Sequence, residues 1–317
     1  MKKKINLGLI GYGPWGYKIA KSIIYSVKDA RLKSIYSRKK KKILNYPEKK
    51  ITSYTNWKKM INRENLDGVI IAMPTKFNFL ILSELLKKKI PVLIEKPIAT
   101  QVIEVKKILS MCSRYESIAD VNHIDLFNNA VKKLISIKIK KIKFIKAKIS
   151  APYKRRFDIN PLWEYAPHFI ATILKITKSK LLSISCQNLK IENSLFNRKQ
   201  RYMYKIQLNF KDNLKAIIFA GNGTKKKNRE IEILTSNRDK YIYNDMRKTS
   251  LIYQKSNKIK KALCKKELPL TNSIVSFVKK IKKNQVNYSG IKLSLKVTQV
   301  LSLAEKSLKA KKPIYFI

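Results

Sequence analysis

Histidine is nearly absent from this chain of 317 residues, which has two, His123 and His168. Its three cysteines, Cys112, Cys186 and Cys264, lie far apart. No metal-ligand spacing and no disulfide framework follows from them, so no metal is expected and the expected setting is a reducing cytoplasm. No Ser–His–Asp set competes as a catalytic centre. No apolar run reaches the roughly 18 residues that a membrane helix needs, so no membrane partner is expected. Lys2 to Lys4 precede apolar residues as in a signal peptide, but that run stops at Gly11 in a glycine-rich turn, and the reading is rejected. Carboxylates are also scarce: 20 Asp and Glu stand against 71 Lys and Arg, a net charge of +51. Such a charge suits a nucleic acid or an acidic surface. Yet the lysines are spread along the whole chain. Patches such as Lys39–Lys42 and Lys225–Lys227 read as solvated loops, and arginine, the preferred base reader, is scarce. The bias toward Lys, Ile and Asn is what an AT-rich genome produces. The expectation is no nucleic-acid partner, with a charge that draws anionic substrates toward the protein.

What is present is apolar enough, at 44%, to fold, and long enough for two domains. The stretch from Lys4 to Ala20 organises the rest. Ile5, Leu7, Leu9 and Ile10 enter the turn Gly11-Tyr12-Gly13-Pro14-Trp15-Gly16, and an amphipathic run follows with Ile19, Ala20, Ile23 and Ile24 on one face. Strand, tight turn, helix is the context of a dinucleotide fingerprint. Gly11 allows the turn, Gly13 lets the backbone approach a pyrophosphate, and Gly16 lets the helix lie near the strand. Pro14 suits the first helical turn, where its missing N–H costs nothing. The helix start then offers free N–H groups to phosphate. The alternative is a plain glycine-rich strand–helix turn.

Strands and helices alternate through the first third. Strands are expected at Arg31–Ser37, Ile51–Thr55, Leu66–Met73, Pro91–Pro97 and Ile118–Asn122. Helices are expected at Asn56–Ile61, Phe79–Lys88 (with Leu80, Ile81, Leu85 and Leu86 inward) and Ile103–Cys112. This predicts an α/β, doubly wound parallel sheet with ligands at the carboxyl ends of its strands. From about residue 124 the pattern changes to alternating strands at Lys140–Ile149, Leu181–Leu189, Tyr202–Phe210, Leu214–Ala220, Glu230–Thr235 and Asp239–Tyr243, with helices at Leu162–Ile176, Asn272–Lys283 and Ile291–Lys309. A second α+β domain with an open, mostly antiparallel sheet is expected over 124–317, after a dinucleotide domain over 1–123, with the C-terminal tail packing back on the first domain.

Two stretches carry chemistry. Glu95-Lys96-Pro97 stands at the carboxyl end of a buried strand, where a lysine is partly desolvated and, beside an oxidised nicotinamide, its pKa should fall; Glu95 would orient it. In Arg155–His168, Glu164 and His168 are four apart on a helix, so a carboxylate and an imidazole share a face, with Trp163 and Arg156 close by. At the end of the second strand, Ser37-Arg38 offers no carboxylate to repel a 2′-phosphate and a guanidinium to bind one, which favours NADP over NAD.

The motifs GLIGYGPWG (8–16), AMPT (72–75), IEKPIAT (94–100), VNHIDLFNNAVKKL (121–134), LWEYAPHFI (162–170) and the ending LPLTNSIVSFVKKIKKN (268–284) together resemble the GFO/IDH/MocA oxidoreductases along essentially the whole chain. The resemblance implies a nucleotide-binding Rossmann domain before an α+β domain whose open sheet makes homo-oligomer contacts, as a dimer or tetramer. It implies that Lys96 touches the reacting hydroxyl and that His168 is the acid/base. It places cofactor on Gly11–Gly16, Ser37–Arg38, Met73, Pro74, Thr75, Asn78, Glu95 and Lys96. It places substrate near Asn122, His123, Arg156, Asp158, Trp163, Glu164 and His168. The nearest branch acts on nucleotide sugars such as UDP-N-acetylglucosamine or its uronate. The chain departs from the family pattern at Glu164, where Asp is usual, at Phe169, often Asp, and at Asn78, often His. The reading is an NAD(P)-dependent dehydrogenase of a sugar hydroxyl. The alternatives are a dehydrogenase of a free sugar, cyclitol or diol, and a cofactor-binding sensor or scaffold without turnover.

Overall fold

The computed structural model describes residues 3–38, 51–152, 158–189, 201–247, 249–255, 258–264 and 268–316. In chain order its elements are β1 (Ile5–Ile10), α1 (Pro14–Ser26), β2 (Ala30–Tyr36), β3 (Thr52–Tyr54), α2 (Trp57–Arg63), β4 (Gly68–Ile71), α3 (Asn78–Lys87), β5 (Val92–Glu95), α4 (Val102–Tyr115), β6 (Ala119–Asn122), α5 (Asn129–Ser136), β7 (Ile142–Ser150), α6 (Pro161–Ile176), β8 (Leu181–Leu189), β9 (Met203–Phe210), β10 (Lys215–Gly221), β11 (Asn228–Thr235), β12 (Lys240–Asn244), β13 (Leu251–Lys255), β14 (Lys258–Ala262), α7 (Pro269–Lys282), α8 (Ser289–Ala310) and β15 (Ile314–Tyr315). No described helix is long and apolar enough to cross a membrane.

The chain divides into two units: 1–124 with 268–295, and 125–267 with 296–317. In the first, six parallel strands run β3-β2-β1-β4-β5-β6. The strand order reverses between β1 and β4, the point where doubly wound sheets bind ligands. One apolar cluster joins Leu7, Leu9, Ile19 and Ile23 to Ile274, Phe277 and Val278 of α7. Another joins Ile10, Val69 and Ile71 to Ile81 and Leu85 of α3 and Ile108 of α4. The first cluster explains the return of the chain at 268. α7 packs beside α1 and adds its apolar stripe to the same cluster. The compact units place 268–295 with the first sheet and the rest of 125–317 with the second. The tail strand β15 pairs antiparallel with β8. Within α3, Leu80 is 55% exposed and Leu82 takes the inward position.

The second unit has nine strands in the order β14-β13-β12-β11-β7-β10-β9-β8-β15. All pairs are antiparallel except β7 with β10. Alternation works as expected for a sheet with one covered face. Ile145, Ala147 and Ile149 of β7, and Ala216, Ile218 and Ala220 of β10, are buried on the side where α6 packs. Helix α5 and strands β13 and β14 were not anticipated from sequence. They are short, and β14 reads Lys-Ile-Lys-Lys-Ala, which no apolar period marks as a strand.

Candidate active site

Gly11 has φ +105°, a conformation side chains rarely adopt, and a Cβ there would meet the Ala72 carbonyl oxygen at 2.4 Å. A Cβ on Gly16 would lie 2.0 Å from the Gly11 carbonyl oxygen, so α1 can approach β1 only without one. Gly13 differs: its Cβ would have nothing within 4 Å. It is the N-cap of α1, Pro14 fills the first helical position, and no side chain caps the helix. The open space over an uncapped helix start is the shape a pyrophosphate takes. The residues present therefore fit a dinucleotide. Tyr12 is buried, its ring edge-on to Tyr17. The end of β2 is tied to this turn by a hydrogen bond from the Gly11 N–H to the Tyr36 carbonyl, 3.0 Å. Ser37 is half-buried and Arg38 exposed. Met73 and Pro74 are half-buried after β4, and Thr75 is buried.

Glu95 ends β5 and pairs in register with Asn122 at the end of β6. The Asn122 Nδ2 donates to Glu95 Oε1 at 2.5 Å, and Asn122 Oδ1 accepts from Ser273 of α7 at 2.7 Å. Burial pushes the Glu95 carboxyl above its ordinary range, against the opposing pull of Trp15, Asn122 and Lys96. Lys96 follows, half-buried, before a cis peptide to Pro97. Asn78, 1% exposed, donates from Nδ2 to the Pro97 carbonyl at 3.1 Å. It therefore braces the loop that carries Lys96. His123 is buried with Nε2 at 2.8 Å from the Ser294 hydroxyl of α8.

In the second unit, Asn160 caps α6 by accepting from the Trp163 N–H, with Pro161 at the first helical position. His168 lies one turn after Glu164. Its Nδ1 is 2.5 Å from Asp125 Oδ2, and the other oxygen of Asp125 is bound by the Arg229 guanidinium of β11. Burial alone would raise the Asp125 carboxyl, but Arg229 and then His168 hold it well below the usual carboxylate range. Beyond Arg229 stand the phenol of Tyr243, raised by burial, and Asp245, which accepts from Asn128 at 3.2 Å. The carboxylate against the imidazole is thus Asp125, outside α6, rather than only the helical neighbour Glu164, which is half-buried. Trp163 is 3% exposed and Phe169 0%, both built into the core of this unit. Asp158 is exposed. Arg156 lies outside the described residues, as do Lys39–Lys42. Among the described residues, no group of three or more His, Cys, Asp or Glu could hold a metal ion.

Asp125 and Arg229 were missed from sequence. Arg229 had a signal: Arg229, Ile231, Ile233 and Thr235 alternate, which puts the arginine on the covered face of β11.

No curated protein sequence matches the chain. Its fold is that of several solved dehydrogenases. UDP-N-acetylglucosamine 3-dehydrogenase from Acidithiobacillus ferrooxidans superposes with a TM-score of 0.85 at 16% identity, over 97% of this chain and 98% of that one. Myo-inositol 2-dehydrogenase from Lactobacillus plantarum gives 0.83 at 15%, over 99% and 100%. Scyllo-inositol dehydrogenase from Lactobacillus casei, with bound NAD(H) and scyllo-inositol, gives 0.83 at 16%, over 99% of each. The profile described as the oxidoreductase family with NAD-binding Rossmann fold, GFO/IDH/MocA, matches residues 5–123. That match spans the six parallel strands of the first unit, β1 to β6.

Proposed function

We propose that the chain is an NAD(P)-dependent dehydrogenase of a sugar secondary hydroxyl, with a nucleotide sugar as substrate. The observation that carries the reading is an imidazole against a buried carboxylate, on a chain whose residues 5–123 match an oxidoreductase family's NAD-binding domain. When bound, the nicotinamide supplies the hydride acceptor or donor. His168 takes the hydroxyl proton at Nε2 as the carbon loses its hydride and the C–O bond becomes a carbonyl; the reverse reaction returns both. Lys96 hydrogen-bonds the reacting oxygen, and Glu95, Asn122 and Asn78 set the loop that holds it. Gly11–Gly16 hold the pyrophosphate. Arg38, with no carboxylate at the end of β2, favours NADP over NAD. Asp158 and Glu164, beside His168, face the substrate. The charge of +51 favours an anionic substrate such as a nucleotide sugar.

A second copy of the chain is the partner we assign. The face of the nine-stranded sheet away from α6 shows half-buried Phe144, Ile217, Phe219, Leu234 and Ile242 among paired lysines and glutamates, a pattern suited to association. The three free cysteines fit a reducing cytoplasm.

The test is a fluorescence titration with NADH and NADPH, repeated with UDP-N-acetylglucosamine, its uronate and myo-inositol. NADPH binding tighter than NADH, with turnover of a nucleotide sugar, is expected. Turnover of inositol instead would move the substrate to a free cyclitol, the class named in two of the similar structures. Tight cofactor binding without turnover of any of them would make the chain a sensor. Failure to bind either cofactor overturns the reading. Light scattering checks the oligomer, and a monomer would remove the assigned partner.

A further inference from the structure

Three charged or titratable side chains converge inside the second unit, each from a different element: Asp125 just after β6, His168 on α6 and Arg229 on β11. They form one largely shielded set, with side-chain exposures of 7%, 12% and 18%. From this geometry we infer that Asp125 and Arg229 are positioning residues for His168, with Asp125 holding the Nδ1 proton and Arg229 keeping the imidazole neutral. The role in turnover rests on the dehydrogenase reading above, whereas the arrangement itself does not.

The argument is one of charge balance. A buried carboxylate alone beside an imidazole favours the imidazolium, because the pair then carries no net charge. A histidine already protonated cannot accept a substrate proton. Here Asp125 is already balanced by Arg229, which binds its other oxygen. A proton on His168 would therefore leave an excess positive charge in a dry place. Asp125 Oδ2, 2.5 Å from Nδ1, makes that nitrogen the favoured seat of the ring proton, which leaves the lone pair on Nε2. Other described groups face the set from beyond Arg229 and from α6. Tyr243 beyond Arg229 stays protonated because burial raises it. Asp245 shares its charge with Lys227 at 4.0 Å and is bound by Asn128. Glu164 is the remaining carboxylate on α6 itself, half-buried one turn before His168.

The chain's two histidines make the test direct. With 15N-labelled histidine, His168 gives one of two imidazole spectra, and the other belongs to His123. In the wild type His168 should be the neutral Nδ1–H tautomer at neutral pH. Asp125→Asn should lower its titration midpoint and Arg229→Gln should raise it, each by about one unit or more. Arg229→Lys should stay near the wild type, because the charge remains. A purely structural role would not move the two variants in opposite directions. An Nε2–H tautomer or a protonated His168 in the wild type overturns the inference without any variant, so variants that do not fold leave it decidable. Shifts of the same sign, or none, also overturn it. If the spectra are as expected but no sugar is turned over, the dehydrogenase reading fails and the positioning stands. If sugars are turned over and the spectra differ, only the positioning fails.

Discussion

Asn122 and Glu95, paired in register at the ends of β6 and β5, are joined by a 2.5 Å hydrogen bond that fixes the carboxylate immediately before Lys96. The carboxyl is desolvated and its pKa is raised. A carboxyl raised in the folded state stabilises the fold below its ordinary value and loses that contribution as pH rises through the folded one. Glu95→Gln, which keeps an oxygen for Asn122, should therefore raise Tm at pH 7–8 by a few degrees, at about 2–4 °C per kcal/mol, and change it little near pH 4. Scanning calorimetry at the two pH values checks this, and equal shifts at both would refute it.

The three turn glycines separate binding from folding. Gly13→Ala adds a methyl into open space, at φ −77° that any residue adopts, so Tm should hold while NADPH binding weakens at least tenfold. Gly16→Ala must push the Gly11 carbonyl from 2.0 Å and should cost roughly 2 kcal/mol or more. Thermal melts beside cofactor titrations distinguish the two. Loss of Tm in the Gly13 variant would contradict the geometry.

His168→Ala should lower kcat/KM by about 10²–10⁴ with cofactor affinity unchanged, the ordinary range for losing a general base. Steady-state kinetics with a direct cofactor titration checks it. A variant that loses cofactor binding instead would place His168 elsewhere in function.

Asp120, 7% exposed on β6, is paired with Lys280 of α7. Lys280→Met leaves a buried carboxylate without its cation and should cost about 3–5 kcal/mol, whereas Asp120→Asn with Lys280→Met should recover most of it. Urea unfolding of the single and double variants measures the difference. It tests the return of α7 to the first unit, because that return is what brings Lys280 to β6.

Acid should act on the second unit through Asp125. A carboxyl lowered in the folded state contributes stability above its ordinary value, about 3.9, and loses it as pH falls through the folded one. Asp125→Asn should be less stable than wild type at neutral pH, and the gap should close as pH falls below about 3.9. Stability curves from pH 7 to pH 2 show this directly.

The sequence by itself determined the local parts. The glycine turn, the proline at the start of α1, the apolar parallel strands and the alternating strands from β7 onward follow from backbone sterics and from burial with a period of two. Lys96 at a strand end and His168 on a helix followed from the same reasoning. Tertiary structure decided which distant residues serve them. Leu80 and Leu82 lie on an apolar helix whose inward face depends on the neighbour it meets. α7 looked like part of the second domain because an amphipathic stripe does not name the sheet it covers. Glu164 stood four residues from His168, so spacing pointed to it. Spacing could not point to Asp125, 43 positions away, whose carboxylate also lies against the imidazole, or to its cation Arg229. Helical spacing reports neighbours one turn apart; contacts between a loop, a helix and a strand are set by how the sheet and its covering helix pack, and packing has no period in the sequence.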